Sequence, residues 1–246
     1  MDQHQHSQSG VSFFCLWLIT HLLTWTVGGL LCIPVTAILS QSVLPEPHGK
    51  VDDIIGGLII IVVCLTLTVG MGGIIQWFSL RTRLHLSWHW IAISLGSTIL
   101  GILLGLSVGF FLRFPIGITI TATLGATLTT QEVANMTALM VWAFSFATIG
   151  VILGWGQRLV LGNHVESPNV WIWASMFGLT FGFIAVVAVG KVAYWSVLRM
   201  TAADWALIGG VGGGTYSLFT GFALVWLFRT PRHTSTLEEA ETYAAR

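Results

Sequence analysis

The chain has 246 residues, of which 54% are hydrophobic and 8% are charged, whereas soluble domains carry about 25% charged residues. So few charges cannot cover a water-soluble fold, and apolar stretches long enough to cross a hydrocarbon core of roughly 30 Å recur along nearly the whole chain. The ten basic and ten acidic residues form no basic block, which argues against a nucleic-acid partner. The sequence therefore predicts an integral membrane protein whose main partner is the lipid bilayer.

The apolar runs predict an all-α, polytopic membrane helix bundle, because an isolated segment in lipid must satisfy its backbone hydrogen bonds internally. A disordered N-terminal tail, 1–10, is followed by a single transmembrane domain, 11–228, and a short C-terminal tail, 229–246. Six transmembrane helices are predicted within that domain, at 11–39, 54–80, 88–112, 136–161, 169–190 and 204–228.

Local patterns mark the starts of two of these helices. Thr129-x-x-Glu132 is a capping-box pattern ahead of the fourth span, and Ser167-Pro168 is an N-cap and N1 pair ahead of the fifth. The segment 115–128, PIGITITATLGATL, is apolar and rich in threonine but too short to cross a bilayer. It is predicted to be an interfacial or re-entrant segment, with a packed loop as the alternative.

Basic residues and tryptophans indicate how the helices sit in the membrane. An interfacial aromatic belt is predicted, with contacts to a pigment, lipid or other ligand as the alternative. Its residues are Trp77, near the end of the second span, and Trp88, Trp90, Trp171 and Trp173, at the starts of the third and fifth. The side that holds both termini carries the larger number of basic residues, which predicts cytoplasmic termini. Those residues are Arg81, Arg83, Arg158, Arg229, Arg232 and Arg246.

Comparison of the chain with itself predicts an internal parallel repeat at a fixed offset of 81 residues, with chance coincidence as the alternative. The repeat units, about 54–112 and 136–190, are two-helix hairpins of the same orientation, so a pseudo-two-fold axis along the membrane normal is expected. Gln76 and Gln157 then lie at equal depth near one interface, either joining the hairpins by hydrogen bonds or lining a polar pathway. The full set of matches places Gly73, Gln76, Leu80, Trp90, Ile91, Ser94 and Gly101 on Gly154, Gln157, Leu161, Trp171, Ile172, Ser175 and Gly182.

Glycine is abundant, with 28 residues. Gly101, Gly105 and Gly109 stand four apart in the third span and form a face that lets helices approach closely. The last span contains the glycine-rich segment 209–221, GGVGGGTYSLFTG. Two interpretations of that segment stay open: close helix packing, and a locally unwound helix whose free carbonyls bind an ion or substrate.

Catalytic chemistry is missing from the predicted spans. No Asp, Glu, Lys or Arg lies in the central half of any of them, which argues against proton pumps, ion-coupled carriers and intramembrane hydrolases. Without a recognisable catalytic or metal-binding motif, no catalytic residue, metal or cofactor is predicted, and the protein is not expected to be an enzyme. His21 lies deep in the first span; it is either a hydrogen-bonded packing residue or an axial ligand to haem or chlorophyll.

One hairpin resembles a recurring G-x-x-Q-W-x-x-L-R signature in a group of multi-spanning bacterial membrane proteins without an assigned activity. The residues that carry this resemblance are Gly73, Gln76, Trp77, Leu80 and Arg81, together with the glycine-rich stretch GGTYSLFTGFALVWL. The second copy departs from the signature, with Arg158 at the tryptophan position and Gly162 at the arginine position. The resemblance implies a membrane helix bundle in the bacterial plasma membrane and implies no activity.

Three functions are consistent with these features. The first is a non-catalytic structural or assembly subunit that packs through its glycine-rich faces against itself or a larger membrane complex. The second is a channel or facilitator for a small neutral solute, with a pathway between the repeated hairpins lined by Gln76, Gln157, Tyr216 and Thr220. The third is haem or chlorophyll binding through His21. The absence of charge inside the spans favours the first.

Overall fold

The computed structural model describes residues 3–43, 50–189 and 201–229. These residues form six helices and no strands, and each helix is long and apolar enough to cross a membrane. The helices are α1 (Gln3–Val43), α2 (Lys50–Leu84), α3 (His89–Leu124), α4 (Thr130–Leu161), α5 (Asn169–Ala188) and α6 (Ala202–Arg229). The prediction of an all-α, multi-pass membrane protein with six spans is confirmed.

The two predicted tails have different outcomes. Helix α1 begins at Gln3, so most of the segment predicted as a disordered tail, 1–10, continues the first helix. The predicted C-terminal tail, 229–246, lies outside the described residues except for Arg229.

The helices form a ring in chain order, in which each helix packs against the next and α6 closes the ring against α1. At the closure, the rings of Phe13 in α1 and Phe228 in α6 meet edge to face at 5.5 Å. The guanidinium of Arg83, from α2, lies over both rings. The start of α1 and the end of α6 therefore lie side by side on one face of the ring, which we call the terminal face.

The re-entrant and packed-loop interpretations of the segment 115–128 were wrong, because most of it continues helix α3; its interfacial position stays a prediction. Helix α3 runs without a break through Pro115 to Leu124, and α4 begins at Thr130. The threonine hydroxyls of this stretch are satisfied within the helix, because each donates to the carbonyl four residues earlier. These bonds run from Thr119 to Pro115, from Thr121 to Gly117 and from Thr123 to Thr119, each at 2.8 Å.

The predicted helix starts have different outcomes. The capping box before α4 is confirmed: the Glu132 N–H donates to Thr129 Oγ1, and the Thr129 N–H donates to a Glu132 carboxylate oxygen at 2.7 Å. At α5 the N-cap is Pro168 and no side chain caps the helix, so the predicted Ser167 cap is not formed.

Glycines bring the helix backbones of the ring close together. A Cβ atom added at Gly105 of α3 would lie 2.7 Å from the Ser145 carbonyl oxygen of α4. A Cβ atom at Gly182 of α5 would lie 2.7 Å from the Gly212 carbonyl oxygen of α6. Helix α6 is continuous through the glycine-rich segment 209–221, so the unwound-helix interpretation is wrong. These glycine contacts join helices of the same chain.

Candidate functional site

The two glutamines singled out in the sequence meet at the centre of the ring. The Nε2 amide of Gln157 in α4 donates to Oε1 of Gln76 in α2 at 3.1 Å and to Oγ of Ser94 in α3 at 2.9 Å. Gln76 is 3% exposed and Gln157 1%. One buried amide therefore links three helices. We use the name polar cluster for Gln76, Ser94 and Gln157 together with Trp17, Trp171, Tyr216 and Thr220, which are described below.

Three tryptophans surround the two glutamines. Nε1–H of Trp171 in α5 donates to Oε1 of Gln157 at 2.6 Å, and Nε1–H of Trp17 in α1 donates to Oγ1 of Thr220 in α6 at 3.3 Å. The Trp171 ring also meets Trp90 of α3 at 6.0 Å and Trp17 at 6.3 Å, both edge to face. Helices α1, α3 and α5 thus each supply one buried tryptophan to the centre of the ring.

The prediction of an interfacial belt was wrong for Trp90 and Trp171, which are fully buried. Their neighbours two positions away, Trp88 and Trp173, are 63% and 57% exposed. Positions i and i+2 lie on nearly opposite sides of a helix, at about 100° per residue. Spacing along the chain therefore located the interface, but it could not tell the inward tryptophan of each pair from the outward one.

A layer of leucines closes the terminal side of the polar cluster. Leu80 of α2 and Leu161 of α4 are fully buried, and Leu224 of α6 is 1% exposed. They pack with the three tryptophans in one hydrophobic core cluster. Water therefore has no open route to the glutamines from this side.

Tyr216 and Thr220, predicted as pathway residues, lie in the same cluster. Tyr216 is 1% exposed and Thr220 is fully buried, and the Thr220 hydroxyl donates to the Tyr216 carbonyl at 3.0 Å. The Tyr216 side chain adjoins Gln76 and Ser175, although its hydroxyl makes no hydrogen bond within the described residues. All four predicted pathway residues come together, and they are buried against one another.

His21 is enclosed in the ring and is fully buried. Nδ1–H donates to the Trp17 carbonyl at 2.8 Å, and the imidazole stacks on the Trp17 indole with centroids 3.9 Å apart. This bond leaves Nε2 as an acceptor, and Nε2 has no partner in the described part of the chain. A haem or chlorophyll bound at Nε2 would need a slot beside the imidazole, so the surrounding helices would have to separate.

On the other side of the polar cluster, the six helices surround a partly open, apolar cavity of about 190 Å³. All six helices contribute to its wall, which includes Trp25, Leu65, Thr98, Ile102, Ile149 and Phe183. The two threonines on the wall are engaged by their own helices: Thr68 Oγ1 donates to the Cys64 carbonyl at 2.8 Å and Thr98 Oγ1 to the Ser94 carbonyl at 2.7 Å. The cavity therefore presents mainly carbon.

Sequence reasoning placed Tyr216 and Thr220 of α6 beside the glutamines but missed the participation of α1. Trp17 was not recognised as a member, although a signal is present. Trp17, Trp90 and Trp171 are each followed eleven residues later by a glycine, at Gly28, Gly101 and Gly182. A search for this spacing, in place of a single fixed offset, would have found the first of the three.

Comparisons with protein-family models, with curated protein sequences and with solved structures find no match to this chain. The resemblance to a group of bacterial membrane proteins stays a prediction. Within the described residues, no group of three or more His, Cys, Asp and Glu side chains is placed to hold a metal ion. Inferences about function therefore rest on the geometry of the ring.

Proposed function

We propose that this integral membrane protein is a non-catalytic assembly subunit. It is a ring of three two-helix units with a packed polar centre, and it binds a partner membrane protein through the far end of the α3–α4 pair. The proposal has three supports. They are the correspondence among the units, the chemistry of the ring interior, and an exposed apolar surface on a helix longer than the bilayer requires.

The proposed units are α2–α3, α4–α5 and α6–α1. In the first two units, equivalent glycines contact equivalent serines. A Cβ atom added at Gly73 would lie 3.2 Å from Ser94 Cβ, and one added at Gly154 would lie 3.0 Å from Ser175 Cβ. The third unit joins the two ends of the chain, with Trp17 bonded to Thr220 as Trp171 is bonded to Gln157.

Contacts between successive units follow the same order. A Cβ atom added at Gly28 would lie 2.8 Å from Thr68 Cγ2 of α2. One added at Gly101 would lie 3.2 Å from Ile149 Cα of α4, and one at Gly182 would lie 2.7 Å from the Gly212 carbonyl oxygen of α6. Each glycine lies on an odd-numbered helix and meets the next even-numbered one. Two steps around a six-helix ring are a third of a turn, so these contacts favour a pseudo-three-fold axis in place of the expected two-fold one.

The ring interior supports a non-catalytic role. The polar cluster is built from amides, hydroxyls and indoles, which accept and donate hydrogen bonds without changing charge at neutral pH. An enzyme needs a base, a nucleophile or a metal with access to substrate. The imidazole of His21 could serve as a base, but it is fully buried against Trp17.

The same burial argues against the channel function. Gln76, Gln157, Tyr216 and Thr220 are 0–3% exposed, and the leucine and tryptophan layer covers them on the terminal side. A solute could pass only if that packed layer separated at every transit. An assembly subunit requires no such motion.

The outer surface of α3 carries the proposal for a partner. Helix α3 has 36 residues and α5 has 20, which correspond to roughly 54 Å and 30 Å. Counted from Trp90, the segment 110–118 lies roughly 30–42 Å along α3, at or beyond the far edge of a hydrocarbon core of about 30 Å. Large apolar side chains at that depth are stabilised when another protein covers them.

The exposed side chains on this segment are large and contiguous. Phe110, Phe111, Phe114 and Ile118 are 68%, 72%, 69% and 70% exposed. Arg113 lies among them and is also exposed, as expected for a charge near the membrane–water interface. We call these residues the α3 patch.

Photo-crosslinking in native membranes tests the proposal. A photoreactive phenylalanine analogue is placed at Phe114 in the α3 patch or, as the control, at Phe222 of α6, which is 64% exposed on the outside of the ring. We expect protein adducts from position 114 and only lipid adducts from position 222. An adduct of twice the chain mass identifies a second copy, and any other mass identifies a different protein. Lipid adducts alone at both positions would contradict the proposal.

A further inference from the structure

We propose that the central cavity holds one hydrocarbon chain of a membrane lipid, which enters from the side of the ring between α2 and α3. This inference does not rest on the assembly role proposed above. It depends on the lining of the cavity, its size and the packing of the two helices.

The lining selects an apolar occupant. The hydroxyls of Thr68 and Thr98 donate to carbonyls of their own helices, and the Cys32 thiol donates to the Gly28 carbonyl at 3.3 Å. A water molecule needs two to four polar partners to remain in a cavity. The Trp25 indole N–H on the wall has no partner within the described residues, but one donor does not supply the two or more partners that a water molecule needs. The wall therefore offers mainly dispersion contacts to carbon.

The size of the cavity selects a slender occupant. A volume of about 190 Å³ is comparable with apolar cavities of roughly 150 Å³ that stay dry and bind benzene. A two-chain lipid or a large macrocycle does not fit in that space. A segment of a single hydrocarbon chain does, and it would restore the atomic contacts that an empty cavity lacks.

The packing of α2 against α3 indicates the route of entry. Among the residues that the structure describes, these neighbours make the sparsest contact in the ring. Their glycine contacts lie near the turn that joins them, where added Cβ atoms would be 2.8 Å from Leu95 Cδ2 at Gly70 and 3.2 Å from Ser94 Cβ at Gly73. The cavity residues Leu65 and Ile102 lie further from that turn. Beside the cavity the two helices meet through side chains, with Leu65 packed against the hydrophobic cluster that contains Ile102, and side chains can move apart more readily than close-packed backbones. In a membrane the outer side of this helix pair faces lipid.

Photolabelling of the purified full chain in liposomes tests this inference. The probe is a phospholipid with a diazirine at the middle of one acyl chain, and labelled residues are mapped by mass spectrometry. We expect label on the inward residues Leu65 and Ile102, in addition to outward residues such as Leu103, which is 58% exposed. Label confined to outward residues would overturn the proposal. Labelling of the inward residues by a free diazirine-tagged alkane, but not by the phospholipid, would also overturn it.

A pair of adjacent substitutions provides the matched control. Ile102→Trp fills the cavity and should reduce labelling of Leu65 about tenfold, whereas Leu103→Trp, on the outer side of the same turn, should leave it unchanged. Equal labelling of Leu65 in both variants would contradict a chain inside the ring. If Ile102→Trp does not fold, Ile208→Trp fills the same cavity from α6, and the wild-type labelling pattern is decisive without any variant.

Discussion

In the terminal half of the ring, Gln157 bonds to groups of α2, α3 and α5, and Trp17 bonds α1 to α6. In the opposite half, Thr68 and Thr98 donate to carbonyls of their own helices. The same six helices are thus joined by side-chain hydrogen bonds at one depth and surround an apolar cavity at another. Hydrogen bonds between helices fix their register, because each buried polar group has few acceptable partners. In the cavity half, the contact of this kind given for the described residues is a long one to sulfur, from Cys32 Sγ of α1 to Thr68 Oγ1 of α2 at 4.0 Å. That half is therefore less constrained and can accommodate a ligand.

The largest expected effect comes from removing the amide that joins three helices. Gln157→Leu should lower the free energy of unfolding by roughly 2–4 kcal/mol, because it deletes three buried hydrogen bonds and leaves Trp171 and Gln76 without the partner they have now. Gln76→Leu removes one of those bonds and should cost less. Unfolding by denaturing detergent in mixed micelles measures both, and equal losses would contradict the central position of Gln157.

A smaller effect is expected where helix backbones approach closely. Gly105→Ala should destabilise the protein by about 1–3 kcal/mol, because the new Cβ would lie 2.7 Å from the Ser145 carbonyl oxygen. Gly96 on the same helix has no such neighbour within 4 Å. Gly96→Ala should be neutral, or stabilising by up to about 1 kcal/mol from helix propensity. The same unfolding assay distinguishes the two, and a destabilising Gly96→Ala would contradict the packing argument.

Two tryptophans of the central layer provide a finer comparison. Trp171→Phe removes the bond to Gln157 and should cost about 1 kcal/mol more than Trp90→Phe. The Trp90 indole is equally buried, but its N–H makes no hydrogen bond within the described residues. Thermal unfolding followed by near-ultraviolet circular dichroism reports the difference. Identical midpoints for the two variants would show that the bond to Gln157 contributes little.

The smallest effect is expected in the cavity wall. Thr98→Val is nearly isosteric and removes a hydroxyl that donates to the Ser94 carbonyl of the same helix. The free energy of unfolding should therefore change by less than about 0.5 kcal/mol. Thr220→Val removes the acceptor of the Trp17 indole and should cost about 0.5–1 kcal/mol. Unfolding in mixed micelles compares the pair. A loss at Thr98 as large as that at Thr220 would remove the contrast between the two halves.

Much of the fold could be predicted because it depends on local properties of the chain. The length and composition of the apolar runs predicted six helices, and Thr129 with Glu132 predicted the start of α4. The continuation of α3 through Pro115 could not be predicted, because the threonine-rich sequence resembles a strand. Its helical state reflects the need of a backbone in lipid to satisfy its hydrogen bonds internally, which overrides the propensity of threonine for strands.

The candidate site could be predicted only in part. A fixed offset brought Gln76 and Gln157 to attention, and the structure places them in direct contact. Trp17 and Thr220 were harder to connect, because their unit is divided between the two ends of the chain. A self-comparison detects contiguous copies, whereas a unit made of the last helix and the first is visible only after the ring has closed.

That divided unit has a consequence for biosynthesis. Helix α1 leaves the ribosome first and α6 follows it last among the described helices, yet the Trp17 indole finds its acceptor, Thr220, on α6. Until α6 is inserted, α1 has one side exposed to lipid, with the indole N–H and the His21 imidazole unshielded by their final neighbour. We therefore expect the ring to close only after translation of α6, so that a nascent chain stalled before residue 202 remains an open arc of five helices.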